Sequence, residues 1–145
     1  MKYFIIEPEV AGELGEETEM ETSKHPPVVK KLHYKLSGWL GDALITTFPC
    51  FAVTETHANV ISANGFTGVK FAGMQSTLSE EFDEMHPNRK LPKFVWMQIT
   101  GERGFDDFGL SNDFRLVVSE KAHKVLQTVG IKNAVTSNFE SLHKP

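Results

Sequence analysis

The feature that most constrains this chain is a pattern that occurs twice, over residues 51–69 and 116–134, at an offset of 65 residues (51 to 116). In each copy a short apolar stretch leads to Thr54 or Ser119, then to a glutamate, to apolar residues at helical spacing, and to a glycine. A hydroxyl at the N-cap, an acid in the first turn and a glycine at C′ are signals of a helix. The pattern predicts two strand–helix–strand units, and whether they are a true repeat stays open.

The rest of the chain completes an α+β fold. Its 145 residues correspond to one domain. The alternating apolar residues of 91–100 predict the strongest strand, buried on both faces, and residues 79–85 predict a short third helix. We therefore expect a single domain over 1–145, in which two or three short helices pack on a mixed β-sheet. Residues 9–27 are predicted to form a long acidic loop or arm, and residues 138–145 a frayed tail.

The charge distribution indicates the kind of partner. The net charge is −4, and residues 3–23 contain seven glutamates but neither lysine nor arginine. Such a negative field repels phosphate backbones and attracts basic proteins. This argues against direct nucleic-acid binding and favours a basic protein partner, although a solvated acidic surface that aids solubility is the simpler interpretation.

No pattern in the sequence indicates catalysis. The six histidines lack the spacing of a metal site, and no nucleophile elbow or phosphate-binding glycine loop is present. Cys50 lies in an apolar context, which favours a buried structural thiol over a reactive one. We expect no catalytic residue, metal or cofactor, and hence a protein that is not an enzyme.

Two further expectations concern location and one tryptophan. The apolar run at the start of the chain is shorter than a secretory signal or a membrane helix requires, and a single cysteine suits a reducing compartment, so we expect a cytoplasmic protein with no membrane partner. Trp39 lies between Gly38 and Gly41 on a predicted turn. It is equally compatible with an aromatic binding anchor and with a plug at one end of the core.

Eight short motifs follow one another in an order that resembles a known family. They are residues 4–9 (FIIEPE), 12–15 (GELG), 25–28 (HPPV), 38–42 (GWLGD), 48–51 (FPCF), 91–96 (LPKFVW), 106–109 (DDFG) and 116–120 (LVVSE). The chain resembles, over nearly its whole length, the bacterial immunity proteins encoded beside polymorphic toxins, of the immunity-eleven type, formerly a domain of unknown function. The resemblance implies a non-catalytic antitoxin that binds and neutralises a cognate toxin domain, often a nuclease, in the cytoplasm.

From the charge pattern and this resemblance we predict that the protein covers the active site of a basic toxin. Acidic side chains and one tryptophan are the candidate contacts. They are Glu13, Glu16, Glu17, Glu19, Trp39, Asp42, Asp106 and Asp107. Two alternatives remain, namely a small-ligand-binding enzyme, which would show an apolar pocket with converging polar groups, and an adaptor subunit, which would show a broad apolar patch.

Overall fold

In the computed structural model, residues 2–88 and 90–139 are described. Within these ranges the chain has the α+β class that the sequence predicts. The helices are α1 (Glu55–Ala63), α2 (Glu80–Met85) and α3 (Glu120–Val129). The strands are β1 (Tyr3–Glu7), β2 (Glu9–Val10), β3 (Gly12–Leu14), β4 (Glu19–Glu21), β5 (Val28–Lys31), β6 (His33–Leu36), β7 (Leu44–Thr47), β8 (Cys50–Thr54), β9 (Val69–Ala72), β10 (Gln75–Leu78), β11 (Phe94–Ile99), β12 (Phe108–Leu110), β13 (Leu116–Ser119) and β14 (Val135–Phe139).

The largest sheet has the strand order β2-β7-β8-β11-β9, and its central strand β8 is buried on both faces. Along β8, Phe51 and Val53 point to one hydrophobic cluster, whereas Cys50 and Ala52 point to two others on the opposite face. This alternation follows from the two-residue period of a strand. Strand β11 is an interior strand, as predicted, but the predicted burial on both faces holds for only part of it, because Trp96 and Met97 are buried on opposite faces whereas Gln98 and Ile99 are half-buried.

A second sheet, with the order β12-β13-β1-β14, contains the other strand–helix–strand unit. Strand β1 is antiparallel to both β13 and β14, so these two strands are parallel to each other. In the same way β11 separates β8 from β9. In each unit, a strand from another part of the chain thus lies between the two parallel strands. Each unit belongs to a separate sheet. The strands of the described residues form four sheets, so the predicted mixed sheet is present as the five-stranded sheet but is one of several.

The two units match in hydrogen bonding as well as in strand order. The N–H of Thr54 donates to the carbonyl oxygen of Ala43 at 3.0 Å, and the N–H of Ser119 donates to that of Asp107 at 2.9 Å. These donors and acceptors occupy corresponding positions where each helix begins. The central strands β11 and β1 also correspond, but β11 follows the other strands of its unit in the chain whereas β1 precedes them. The two units therefore have the same strand arrangement with a circularly permuted chain order.

The main hydrophobic core lies between the two large sheets and includes the inner faces of α1 and α3. The buried side chains of this core are Ile6, Leu44, Phe51, Val53, Ala58, Ile61, Met97, Phe108, Leu116, Val118, Ala122, Leu126 and Ile131. Burial of a large aliphatic or aromatic side chain contributes about 1.5–3 kcal/mol to folding. This shared core therefore holds the two units together as one body.

A third sheet, with the order β10-β6-β3, covers the outer face of the five-stranded sheet, and β4 pairs with β5 in a two-stranded ribbon. The predicted loop over residues 9–27 is consequently wrong in part, because it contains β2, β3 and β4. Alternation of polar and apolar residues is too short in these strands to be recognised. The predicted tail is also wrong at residues 138 and 139, which pair with β1 as the end of β14. Residues 140–145 lie outside the described residues.

The helix ends agree with the sequence in three details and differ in one. The hydroxyl of Ser119 accepts a hydrogen bond from the N–H of Ala122 at 3.2 Å, and Gly130, after α3, has the positive φ that the pattern requires. Gly65, after α1, also has a positive φ. Thr54, however, caps no backbone N–H of α1, because its hydroxyl contacts Nδ1 of His57 instead.

Candidate partner-binding surface

Four of the predicted contact residues lie near one another on the acidic segment. Glu13 lies in β3 directly opposite Lys35, and Glu16 follows with a carboxylate oxygen 4.0 Å from the Lys35 ammonium. Glu17 is in the same turn, and Glu19 pairs with Lys31 across the ribbon. All four side chains are exposed and can reach a partner. Their negative field is weaker than the sequence predicts, because the fold places lysines opposite them.

Asp106 and Asp107 lie in another part of the molecule, where their carboxylates accept hydrogen bonds from backbone N–H groups. A carboxylate oxygen of Asp107 accepts a hydrogen bond from the hydroxyl of Ser119 at 2.7 Å, and the other accepts from the N–H of Thr67 at 3.1 Å. Burial alone would raise the pKa of Asp107, but these hydrogen bonds hold it below the ordinary value. Asp106 accepts from the N–H of Glu102 at 2.7 Å. The two aspartates thus stabilise the start of β12 and of α3, and the structure does not bring them to the acidic segment.

Trp39 and Asp42 are turned toward the core. The Trp39 indole N–H donates to the carbonyl oxygen of Asp42 at 2.8 Å, and the ring meets Phe94 edge-on at 5.7 Å between centroids. Trp39 therefore closes one end of the core, which was one of its two predicted roles. The Asp42 side chain is only 2% exposed, and both of its oxygens accept hydrogen bonds from Asn133. As a surface contact, Asp42 was predicted wrongly.

The structure shows instead a cluster of three rings at the surface, formed by His25, Phe48 and Phe114, which we call the aromatic cluster. Ring centroids are 6.3 Å apart between the two phenylalanines, and His25 lies 6.2 Å from Phe48 and 5.6 Å from Phe114. Phe48 is 51% exposed at the β7–β8 turn. Edge-to-face aromatic contacts stabilise such a group by about 0.5–1.5 kcal/mol per pair. The cluster is thus an ordered apolar projection.

Phe114 has a backbone conformation that is unusual for its residue type. Its φ is +65°, in the left-handed region, which costs a non-glycine residue roughly 1–2 kcal/mol. The surrounding turn holds it there. The N–H of Ser111 donates to the carbonyl oxygen of Arg115 at 2.8 Å, the N–H of Arg115 donates to the Ser111 hydroxyl at 3.0 Å, and the Arg115 guanidinium contacts Asp113 at 2.9 Å. Strain of this kind concentrates at functional sites.

Two cavities border the aromatic cluster. The larger, of about 320 Å³, lies over the outer face of β11 and extends between the ribbon and Phe114. The smaller, of about 220 Å³, lies between Phe48 and β2, where Val10 is 68% exposed. Glu7 and Arg115 supply charge at its edge, where they approach each other to 3.9 Å. Exposed aromatic side chains beside concave surfaces are common at the centre of protein interfaces.

Sequence reasoning missed the aromatic cluster because a phenylalanine is ordinarily expected in the core. The Phe48-Pro49 pair at a strand end and the Ser111-Asn112-Asp113 turn were the available signals, since both indicate exposed turns. Neither signal shows that two turns 66 residues apart (48 to 114) meet. That proximity arises only when the hairpin β7–β8 and the turn before β13 pack side by side.

Cys50 has the structural role that the sequence favours. Its side chain is buried against Leu32 and Trp96. Burial raises the pKa of its thiol to about 12. The thiol is therefore neutral at physiological pH, and its nucleophilicity is low because the thiolate is the reactive form.

Comparison with protein-family models, with curated proteins and with solved structures gave no match to this chain. None of the helices in the described residues has the length and apolar character needed to cross a bilayer.

Proposed function

We propose that this protein binds another protein, and that its partner is a bacterial toxin domain which it neutralises in the cytoplasm as an immunity protein. The observation that carries the binding role is the aromatic cluster with its two flanking cavities. The identity of the partner rests on the resemblance of the eight sequence motifs to immunity proteins. The binding role and the identity of the partner thus rest on independent observations, so each is tested separately.

The aromatic cluster supports protein binding because aromatic side chains supply most of the energy at the centre of protein interfaces. Phe48 and His25 expose their rings to solvent, and Val10 adds an aliphatic side chain beside the smaller cavity. Burying exposed apolar area contributes about 25 cal/mol per Å².

Acidic side chains support a basic partner. Glu16, Glu17 and Glu19 are exposed in the segment that leads into the ribbon, and His25 of the aromatic cluster lies at the far end of the same ribbon. Charges at the rim of an interface increase the association rate, whereas apolar residues at its centre slow dissociation. The proposed interface therefore has the aromatic cluster at its centre and the glutamates at its edge.

The proposal is tested with the polypeptide encoded by the gene beside this one. Cells that produce that polypeptide alone are compared with cells that also produce this chain, and growth is measured. We expect the chain to restore growth and the purified pair to form a complex by isothermal titration calorimetry. Growth arrest that this chain does not relieve, together with no measurable complex, would overturn the proposal.

The aromatic cluster is tested in the same complex with matched alanine variants. Phe48→Ala and Phe114→Ala are each expected to raise Kd about 30-fold, which corresponds to a hot-spot loss of about 2 kcal/mol. Phe105→Ala is the control, because Phe105 is 78% exposed but lies outside the cluster. Equal effects of all three variants would show that the cluster is not the centre of the interface.

A second candidate function, the binding of a small ligand, is favoured by the larger cavity beside the aromatic cluster.

A further inference from the structure

The larger cavity has a floor that changes from apolar to polar along one strand. Trp96, Gln98 and Thr100 alternate along β11 and its extension and therefore share the outer face of the sheet. Trp96 is largely buried and packs against Cys50, whereas Thr100 is exposed. The floor is consequently hydrophobic at the Trp96 end and hydrophilic at the Thr100 end.

A positive charge lies at the polar end. Lys70 of β9 is directly opposite Gln98 in the antiparallel register, so its side chain emerges on the same face. Among the residues that the structure describes, no carboxylate lies within ion-pair distance of the Lys70 ammonium. Lysine, glutamine and threonine side chains all carry hydrogen-bond donors. This end of the cavity thus presents donors and one unpaired cation.

The walls are rigid and apolar. Pro26, Pro27 and Val29 of the ribbon form one side, and Pro49 and Phe114 form the other. Prolines and aromatic rings lose little conformational entropy when a ligand packs against them. At about 320 Å³ the cavity is at the lower end of the range for ligand pockets, about 300–1,000 Å³. It suits a compact molecule with a flat apolar body.

We propose that this cavity, which we call the Lys70 pocket, binds a small organic anion made of an aromatic or other flat apolar body and one carboxylate. The body lies on Trp96 between the proline wall and Phe114. The carboxylate accepts hydrogen bonds from the Lys70 ammonium and from the Gln98 and Thr100 donors. Charge-assisted hydrogen bonds of this type are stronger than those between neutral groups, and they are strongest where water is excluded.

The pocket is separate from the acidic segment and needs no partner protein. Lys70 lies on β9, at the edge of the five-stranded sheet, and takes no part in the aromatic cluster. Phe114 is a member of the aromatic cluster and also lines the pocket, and Pro49, which follows Phe48 of the cluster, lines it too. A bound anion would therefore alter the surface offered to a protein partner without depending on one.

The experiment uses the full chain and two probes of the same shape, naphthalene-2-acetate and naphthalene-2-acetamide. Binding is measured by isothermal titration calorimetry at pH 7, and the site is located by the two tryptophan indole N–H signals in a ¹⁵N–¹H correlation spectrum. Trp39 is the internal reference, because its indole N–H is bonded to Asp42 and its side chain does not line the cavity. We expect the anion to bind about tenfold more tightly than the amide, and only the Trp96 signal to shift.

Three variants test whether the charge of Lys70 causes the preference for the anion over the amide. Lys70→Met keeps the length of the side chain and is expected to bring the anion to the affinity of the amide, while Lys70→Arg retains the preference. Lys124→Met, at an exposed lysine of α3, is the control and is expected to change neither affinity. The proposal is overturned if the two probes bind equally, if neither binds, if the Trp96 signal stays in place, or if Lys70→Met keeps the preference for the anion.

Discussion

Asp42 and Asn133 lie 91 residues apart, and two hydrogen bonds join them. One Asp42 oxygen accepts from the backbone N–H of Asn133 at 2.8 Å, and the other accepts from the Asn133 side-chain amide at 2.9 Å. The neighbouring N–H of Ala43 donates to the carbonyl oxygen of Gly130 at 2.9 Å. The turn before β7 is thereby fastened to the loop after α3, which joins the two strand–helix–strand units outside their shared core.

Replacing Asp42 by alanine should destabilise the protein substantially. The substitution leaves the backbone N–H of Asn133 unpaired, and loss of hydrogen bonds to a charged group costs about 1.5–3 kcal/mol. Asn133→Ala removes only the side-chain donor and should cost about 1 kcal/mol. Urea unfolding followed by circular dichroism measures both. If Asp42→Ala costs no more than Asn133→Ala, the carboxylate does not fasten the two units.

Strain at Phe114 predicts that glycine is more stable than alanine at this position. Both substitutions remove the ring, but only glycine adopts φ +65° without the penalty of roughly 1–2 kcal/mol. The greater freedom of glycine in the unfolded chain offsets about 0.5–1 kcal/mol. We expect the glycine variant to unfold with a free energy about 0.5–1 kcal/mol above that of the alanine variant, while both lose partner binding. An alanine variant as stable as the glycine variant would show that this turn holds no strain.

Alkaline pH should destabilise the fold through Tyr34. Burial raises the pKa of this phenol to about 12, whereas in the unfolded chain it stays near the ordinary value of about 10. Between these values the unfolded state releases a proton that the folded state retains, so the free energy of unfolding falls as pH rises from about 10 to 12. Urea titrations across this range measure the slope. Tyr34→Phe should reduce it, and an unchanged slope would assign the effect to other groups.

The same tyrosine links strands β6 and β7 and the residue between β2 and β3 at neutral pH. Its hydroxyl donates to the carbonyl oxygen of Thr46 at 2.6 Å and accepts from the N–H of Ala11 at 2.9 Å. Tyr34→Phe leaves these two buried groups without a partner, so the variant is also expected to lose about 1–3 kcal/mol at pH 7. The pH slope and the neutral-pH loss are therefore measured in one series.

Cys50 should resist alkylation while the protein is folded. Its thiol is buried and has its pKa raised to about 12, so little thiolate exists at pH 8. Treatment with iodoacetamide followed by mass spectrometry should show an unmodified chain, and the same treatment in guanidinium chloride should add one group. Rapid modification of the folded chain would contradict the buried position.

Reversal of the acidic charges should slow the encounter with a basic toxin domain. Glu16→Lys, Glu17→Lys and Glu19→Lys together are expected to raise Kd about tenfold, since exposed pairs contribute about 0.2–1 kcal/mol each. The association rate, measured by stopped flow, should fall most at low salt. A triple reversal at the exposed Glu80, Glu81 and Asp83 of α2 changes the net charge equally and serves as the control. If the unaltered chain and the two triple variants bind with equal affinity, the glutamates do not lie in the interface.

The sequence predicted the elements whose signals are local. The ends of α1 and α3 lie within one residue of the predicted positions, because Thr54, Ser119, Gly65 and Gly130 mark helix boundaries through their own backbone preferences. Strand β11 was predicted for a similar reason. A long alternating run can be recognised in the sequence without knowledge of distant contacts.

What the sequence did not predict depends on contacts between distant segments. Strands β2, β3 and β4 contain two or three residues each, too few for a period to appear, and form because partners such as β6 and β7 lie beside them. The aromatic cluster was not predicted for the same reason, since Phe48 and Phe114 are 66 residues apart (48 to 114) in a chain of 145. Asp42 was misassigned because an aspartate in a glycine-bearing turn is ordinarily exposed.

The insertion of β1 between β13 and β14 has a consequence during synthesis. The ribosome completes β1 109 residues before β13 begins (116 − 7), which at about 5–20 residues per second is on the order of ten seconds. For that time an apolar, β-prone segment has no native neighbour and is open to pairing with other nascent chains. The glutamates that follow it immediately, beginning with Glu7 and Glu9, act as gatekeepers against such aggregation. The same acidic stretch therefore protects the nascent chain from aggregation before the folded protein binds a partner.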